Sequence, residues 1–516
     1  MRPHTTLFTA CSLALSAAAG TTSVDPTTKN ANHIFNVIHD SMRQWGSSLH
    51  HNGVSFFLAV VPAGTQLYHG TSLSSPVNGT EWLAFEPEHS LVFARPHRGP
   101  PSRQPDEGED GGEGRHEDLR RDRHNRRDDK SDEDAKGYLH TYAAAKHLRL
   151  LYIDGMSAAK TDKGTLDSQD ALLFDNTIDM NQDGKPGGPL GERERAIRAC
   201  EMAKDEFADR IDGILRMEAG FEIILCDFER DLVNVEIVEV ASQSREPGNE
   251  QGDGKQRKGP GGPGGPGGPG GPDSAGWARA VASRYEGIGG GRVNLNYEHF
   301  VTAFSYDLDL FPEGSAHPRL NHLAHSDLER IRKDITSTLL THDPREFTWN
   351  WQATTDMIVL RYSDELSYLS SDKIETTEQL SKHINKLMAP FTDFRERNAS
   401  AEAEKCASQF IPFTLKDKQD IPTRAVLAVA HSVCSTLIEA AAEQDLVSAQ
   451  KGIKNLMAYL DWTTWKECRG CQDNEICAVP IWPMGSIEDY EQPQCRDASN
   501  PYGNDGESYW GREPRH

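Results

Sequence analysis

Long apolar runs are scarce in this chain. Beyond the first twenty residues the most apolar stretch, Ala425 to Leu437, is interrupted by His431 and Ser435, so no membrane span is expected. No apolar tail closes the sequence, which argues against a glycosylphosphatidylinositol anchor. Basic charge is also short. Lys and Arg number 55 against 79 Asp and Glu, a formal charge of −24, so no nucleic-acid surface is expected and acidic partners are disfavoured. No Gly-x-Ser-x-Gly tract is present, which removes the strand–turn–helix nucleophile of many serine hydrolases. Cysteine is sparse, at nine in 516 residues.

What is present points to export. Arg2 and His4 precede a mostly apolar Leu7 to Ala19, and Ala17 to Ala19 suit cleavage, so residues 1–19 read as a signal peptide. Cys11 leaves with it. Cys200, Cys226, Cys406, Cys434, Cys468, Cys471, Cys477 and Cys495 then form an even set, which in an exported chain reads as disulfides. Cys406 and Cys434 lie on neighbouring predicted helices and are expected to pair. Cys468-x-x-Cys471 with Cys477 and Cys495 has zinc-like spacing, but two disulfides suit export better, with three pairings open. No metal ligands are assigned. Asn78-Gly-Thr80 and Asn398-Ala-Ser400 carry the glycan-acceptor pattern. The expectation is a secreted, extracellular protein.

Two segments are too poor in apolar residues to fold. Arg95 to Lys136 mixes charges with Gly and Pro and reads as a disordered insertion. Residues 242–276 are dominated by Gly-Gly-Pro repeats and read as a flexible linker. Residues 32–240 form an α/β unit. Ile34, Phe35, Ile38, Met42 and Trp45 predict an amphipathic helix over Asn32 to Leu49, and Val54 to Val61 a buried strand. Short strands follow at Gln66 to Tyr68 and Trp82 to Phe85, then a helix from Pro87 to Ala94. Leu148 to Ile153 is a strand with Tyr138 to Tyr142 as its expected partner. Glu192 to Met217 reads as one helix striped by Ile197, Cys200, Phe207, Ile211 and Ile214. Phe221 to Cys226 and Val233 to Val240 are strands. The tract Asp179 to Gly184 matches half a calcium loop. Leu190 replaces its last carboxylate, so it reads as a solvated acidic loop.

Residues 277–462 turn helical, with helices predicted at 328–340, 366–387, 402–410, 424–441 and 446–460; Val293 to Phe304 is a strand or short helix. Residues 463–516 are a Cys-rich tail. The expected class is α+β: a mixed sheet with helices, followed by a mainly α-helical, disulfide-stapled domain.

Two polar residues stand out among apolar neighbours. His69 ends a short strand, with Gly70 behind it to allow a close backbone approach. Glu222 lies in Phe221-Glu-Ile-Ile-Leu-Cys226, where both strand faces look buried, and such carboxylates are enriched at functional sites. The order of these pieces resembles the ADP-ribosyltransferase fold of the His-Tyr-Glu type over roughly residues 54–240. That resemblance implies NAD as substrate, His69 and Glu222 as catalytic residues, and a nicotinamide pocket of His69, Gly70, Thr71 and Phe93. Phe93 would stand where the family has a stacking Tyr. On the same reading, Cys226 is expected to bond to Cys200 on the preceding helix. The tracts Trp82 to His89, Ile153 to Lys160 and Arg216 to Glu222 also resemble an uncharacterised group of secreted filamentous-fungal proteins. The two implied functions are an NAD-consuming transferase or glycohydrolase, and a non-catalytic scaffold or interaction protein keeping only the fold.

Overall fold

The computed structural model describes residues 25–95, 136–178, 191–240, 274–346, 348–502 and 507–511. The expected signal peptide, the calcium-like tract and most of both low-complexity segments lie outside the described residues. The strands are β1 (Asn52–Val61), β2 (Gln66–Thr71), β3 (Glu81–Ala84), β4 (Gly137–Ala144), β5 (Leu148–Gly155), β6 (Gly213–Met217), β7 (Phe221–Leu225), β8 (Leu232–Val240), β9 (Asn294–Thr302), β10 (Glu475–Ala478) and β11 (Gln494–Asp497). The first nine form one mixed sheet in the order β8-β4-β2-β3-β7-β6-β5-β1-β9. Only β5 and β6 run parallel; every other pair is antiparallel. All ten residues of β1 are buried, as its unbroken apolar run requires.

The helices are α1 (Pro26–Lys29), α2 (Ala31–Asp40), α3 (Gln44–Leu49), α4 (Pro87–Leu91), α5 (Glu192–Asp205), α6 (Phe228–Asp231), α7 (Ser274–Ala282), α8 (His325–Thr341), α9 (Trp351–Leu369), α10 (Thr377–Met388), α11 (Ala399–Ser408), α12 (Ile421–Ala442), α13 (Leu446–Leu460) and α14 (Ile487–Glu491). The C-terminal bundle is organised on α12, which packs against α2, α10, α11 and α13. By length and composition α12 could cross a membrane. In the fold, Val426, Val429, Ala430, Val433 and Leu437 are buried within the protein core. Side chains of Asn350, Thr376, Asn398, Asp420 and Asp445 each accept a backbone N–H at the start of a bundle helix.

Four expectations are corrected. The predicted first helix breaks between α2 and α3, where Met42 takes φ +56° and its N–H donates to the buried Tyr152 hydroxyl (3.1 Å). The predicted helix from Glu192 to Met217 stops at Asp205. Ala208 and Asp209 take left-handed backbone, and Gly213–Met217 becomes β6 inside the sheet, leaving Ile197 of the proposed stripe 45% exposed. The stretch 366–387 divides because Thr376 caps a new helix with its side chain. Tyr138 to Tyr142 does not pair with Leu148 to Ile153: β4 lies between β2 and β8, and β5 between β1 and β6.

The disulfides join Cys200 to Cys226, Cys406 to Cys434, Cys468 to Cys477 and Cys471 to Cys495. The last two resolve the three pairings left open. Cys406–Cys434 ties α11 to α12 and closes a span of 28 residues. Replacing both by Ser is expected to lower stability by about 3 kcal/mol in urea unfolding; an unchanged midpoint would show the link to be dispensable.

Candidate functional site

The sheet register decides where the sequence-predicted site residues lie. Tyr68 pairs with Ala84, Ala84 with Glu222, and Glu222 with Arg216. Directly paired residues share a face and neighbours along a strand alternate, so Glu222 is on the face of Tyr68 and His69 is on the other. The two cannot meet one ribose, and the catalytic pairing of His69 with Glu222 is corrected. His69 points toward His140 and Phe228, and its Nδ1–H donates to the Trp82 carbonyl (2.8 Å). Burial pulls its pKa down to about 4, so the ring is neutral.

The nicotinamide pocket also dissolves. A Cβ on Gly70 would lie 1.9 Å from the Ser90 carbonyl oxygen, so this glycine admits the end of α4 rather than a ligand. Thr71 turns its hydroxyl onto the backbone N–H of Leu73 (3.3 Å). Phe93 is 58% exposed and meets His89 edge-on, on the α4 side of the sheet, away from His69.

Glu222 belongs instead to a buried ion network. Arg216, fully buried, donates Nε to Glu222 (2.9 Å) and Nη1 to Gln169 (2.9 Å), and it also pairs with Glu192. Lys160 bridges Glu192 (3.3 Å) and Glu218 (2.7 Å). Burial raises the Glu222 pKa, with Arg216 opposing. Glu192 also feels burial, but Arg216, Lys160 and Arg195 together hold it low. Arg216, Lys160 and Arg195 are each paired with carboxylates of the protein, as in a buried structural ion network, while Glu218 and Glu192 add to the rise at Glu222.

A second polar centre is open to a cavity. A recess of about 170 Å³ is lined by residues from α2, α3, the start of β1, the end of β5 and several C-terminal segments. Asp40, 3% exposed, lies at its base. It accepts from His39 Nδ1 (3.0 Å), His50 Nδ1 (2.7 Å) and Thr463 Oγ1 (3.2 Å). Burial would raise its pKa, but the two histidines outweigh burial and hold it well below the carboxylate range. His50 also donates Nε2 to Asp461 (3.2 Å). Burial opposes its charge, yet Asp40 and Asp461 lift its pKa to about 10. The result is a fixed Asp–His–Asp ion triad.

Asp154 faces the same recess from the end of β5 in the opposite protonation state. Burial pushes its pKa to about 7, despite hydrogen bonds from Tyr152 (2.9 Å) and from the Gly155 backbone, and Asp40 adds to the rise. His33, stacked on Phe304 (4.8 Å), forms an aromatic wall with Phe311. His317 Nε2 shares hydrogen bonds with the hydroxyls of Tyr490 and Tyr509, each at 3.1 Å. Burial, with His50 behind it, holds both histidines neutral, at about 4 for His33 and about 3 for His317. Asp461 itself has φ +46°, backbone that Asp tolerates better than most residues. The triad itself carries one negative charge, and Lys163 and Lys466 lie close enough to act on His317 and Asp461, so the recess is polar with charges of both signs around it.

None of these residues was singled out from sequence. The available signal was ionisable residues at the ends of apolar strands: His50-His51-Asn52 opens β1, and Asp154-Gly155 closes β5 beside it, with Asn52 paired to Gly155.

Known proteins add relatives but no chemistry. Residues 23–248 match the YPL277C N-terminal domain. The chain is 28% identical to the uncharacterized protein YOR389W of Saccharomyces cerevisiae, over 89% of this chain and 83% of that one. It is 40% identical to the uncharacterized protein YPL277C of the same yeast, over 40% of this chain and 42% of that one. These similarities support an uncharacterised fungal family. No solved structure matches the chain.

Each polar centre carries its own expectation for stability. The folded state keeps the Asp154 proton above the unfolded pKa near 3.8, so this group lowers stability as pH rises from about 4 to about 7, and fully beyond. Asp154→Asn keeps the acceptor for Tyr152 and is expected to unfold at higher urea than the parent at pH 8 but not at pH 4. The difference at pH 8 is expected to reach a few kcal/mol, since a tenfold change in proton affinity between folded and unfolded chains is worth roughly 1.4 kcal/mol. Equal pH profiles would show that Asp154 ionises normally. Arg216→Met leaves buried carboxylates uncompensated and is expected to cost about 3–5 kcal/mol by the same measurement.

Proposed function

We propose that the recess is an acid–base site that cleaves a glycosidic or similar acetal bond, with Asp154 as general acid. One observation carries this reading: two carboxylates in one cavity, Asp154 kept protonated and Asp461 kept ionised by His50. Groups driven apart in this way divide acid and base roles. Asp154 holds a proton up to about pH 7 and would deliver it to a leaving oxygen. Asp461 is the ionised carboxylate nearer the mouth, 67% exposed in its side chain against 5% for Asp40. It would stabilise developing positive charge or take the proton of an attacking water. Asp40 and Thr463 position His50, which in turn orients Asp461. His33, Phe304 and Phe311 give the recess one aromatic side, against which the apolar face of a sugar ring could rest. At ~30 Å³ per water, the recess has room for about six waters, so it would hold one sugar unit rather than a chain.

We infer an exported compartment as well. Four disulfides support it, because such links persist in oxidising surroundings. Asn78 and Asn398 are both exposed, as glycan acceptors must be.

The test is release of the aryl alcohol from a panel of aryl glycosides between about pH 4 and pH 9. Activity is expected to fall above about pH 7, as Asp154 loses its proton. Asp154→Asn is expected to lose about 10²-fold or more while keeping its near-ultraviolet circular dichroism. No release from any glycoside, or full activity in a folded Asp154→Asn, would overturn the assignment.

A further inference from the structure

We propose that His299, His342 and Glu346 form a binding site for a borderline divalent transition metal ion of the zinc type. His299 projects from β9, His342 follows α8, and Glu346 lies on the loop after it. One ligand atom from each lies within 4.8 Å of the others. Glu346 Oε2 is 3.7 Å from His342 Nδ1 and 3.9 Å from His299 Nε2. Both are too long for hydrogen bonds, so three potential donors converge without satisfying one another. Bonds of about 2.0–2.1 Å in a tetrahedral zinc site separate neighbouring ligand atoms by about 3.3–3.4 Å, so Glu346 Oε2 stands only a few tenths of an ångström beyond that spacing from each histidine nitrogen.

The surroundings fix the ligands as such sites usually do. Glu346 Oε1 accepts the backbone N–H of Asp343 (3.1 Å), which aims Oε2 at the histidines. Arg210 donates to the His342 carbonyl (3.1 Å) and holds its backbone. The Trp349 N–H donates to Glu298 (3.2 Å), so the far end of the loop is already tied to β9. The imidazole rings stack in parallel, 3.6 Å apart and 9° from coplanar. Coordination therefore turns at least one ring so that both lone pairs meet. The side chains are 32% and 34% exposed, which leaves the solvent side open for that turn.

Two imidazoles and one carboxylate suit zinc, copper or nickel rather than calcium or magnesium. Three protein ligands leave a fourth position for water or an incoming donor. Glu346 also lines a groove of about 610 Å³ with Tyr297, Trp349 and Gln352. A bound ion would clip this groove's wall to β9.

The test titrates chelator-treated full-length protein with Co²⁺, read by visible d–d absorption, and with Zn²⁺, read by calorimetry. One equivalent is expected at this site. That equivalent is expected to vanish in His299→Ala and in His342→Ala, and to weaken about tenfold or more in Glu346→Gln. Near-ultraviolet circular dichroism of the metal-free variants reports whether they fold. Absence of d–d absorption, or binding unchanged in a folded His variant, overturns the site.

Discussion

A carboxylate with 5% of its side chain exposed sets the terms for this fold. Taking Asp40 out of water costs several kcal/mol, and that cost is met only by partners that must all be in place. His39 is its neighbour in sequence and His50 lies one short helix away, but Thr463 comes from 423 residues further on. Gly46 makes the arrangement possible, because a Cβ there would come within 2.3 Å of the Asp40 carboxyl carbon. One charge therefore fixes the angle between α2 and α3 and anchors the C-terminal end of α13. Through His50 it also fixes the carboxylate of Asp461.

The two polar centres show how similar residues acquire different roles. Around Arg216, carboxylates and cations are interleaved and saturated. Around Asp40, the ions are saturated on one side only, and Asp154 opposite is held neutral by burial. The second arrangement leaves a gradient of protonation across an open space, which is the condition for moving a proton. Saturation, rather than burial or charge alone, separates the two.

Much of the architecture was legible because it is local. The apolar run of Val54 to Val61 and the three-to-four-residue spacing of the bundle helices both act within a few positions. Cys200 and Cys226 were legible as well, since a helix and a nearby strand bring them together. The face shared by Glu222 and Ile224 follows from strand periodicity. Its relation to His69 does not, because it depends on which residue of β2 meets which of β3, and then of β7. One residue of slip would have reversed the answer. Asp40 was concealed as an ordinary polar residue in the middle of an expected amphipathic helix, and Asp154 as a polar residue at a strand end. Their meaning depends on neighbours far away in the sequence.

The attachment of α2 bears on how the chain is assembled. Asn32 and Asn36 donate to the carbonyls of Tyr459 and Leu460, and Trp45 to that of Thr463, at separations above 400 residues. These helices are therefore synthesised more than 400 residues before the carbonyls they bind. α2 packs mainly on α9 and α12, so its cover too comes from far along the chain, and contacts of such long range slow folding. Breaking these few long-range hydrogen bonds would therefore loosen both ends of the described fold together.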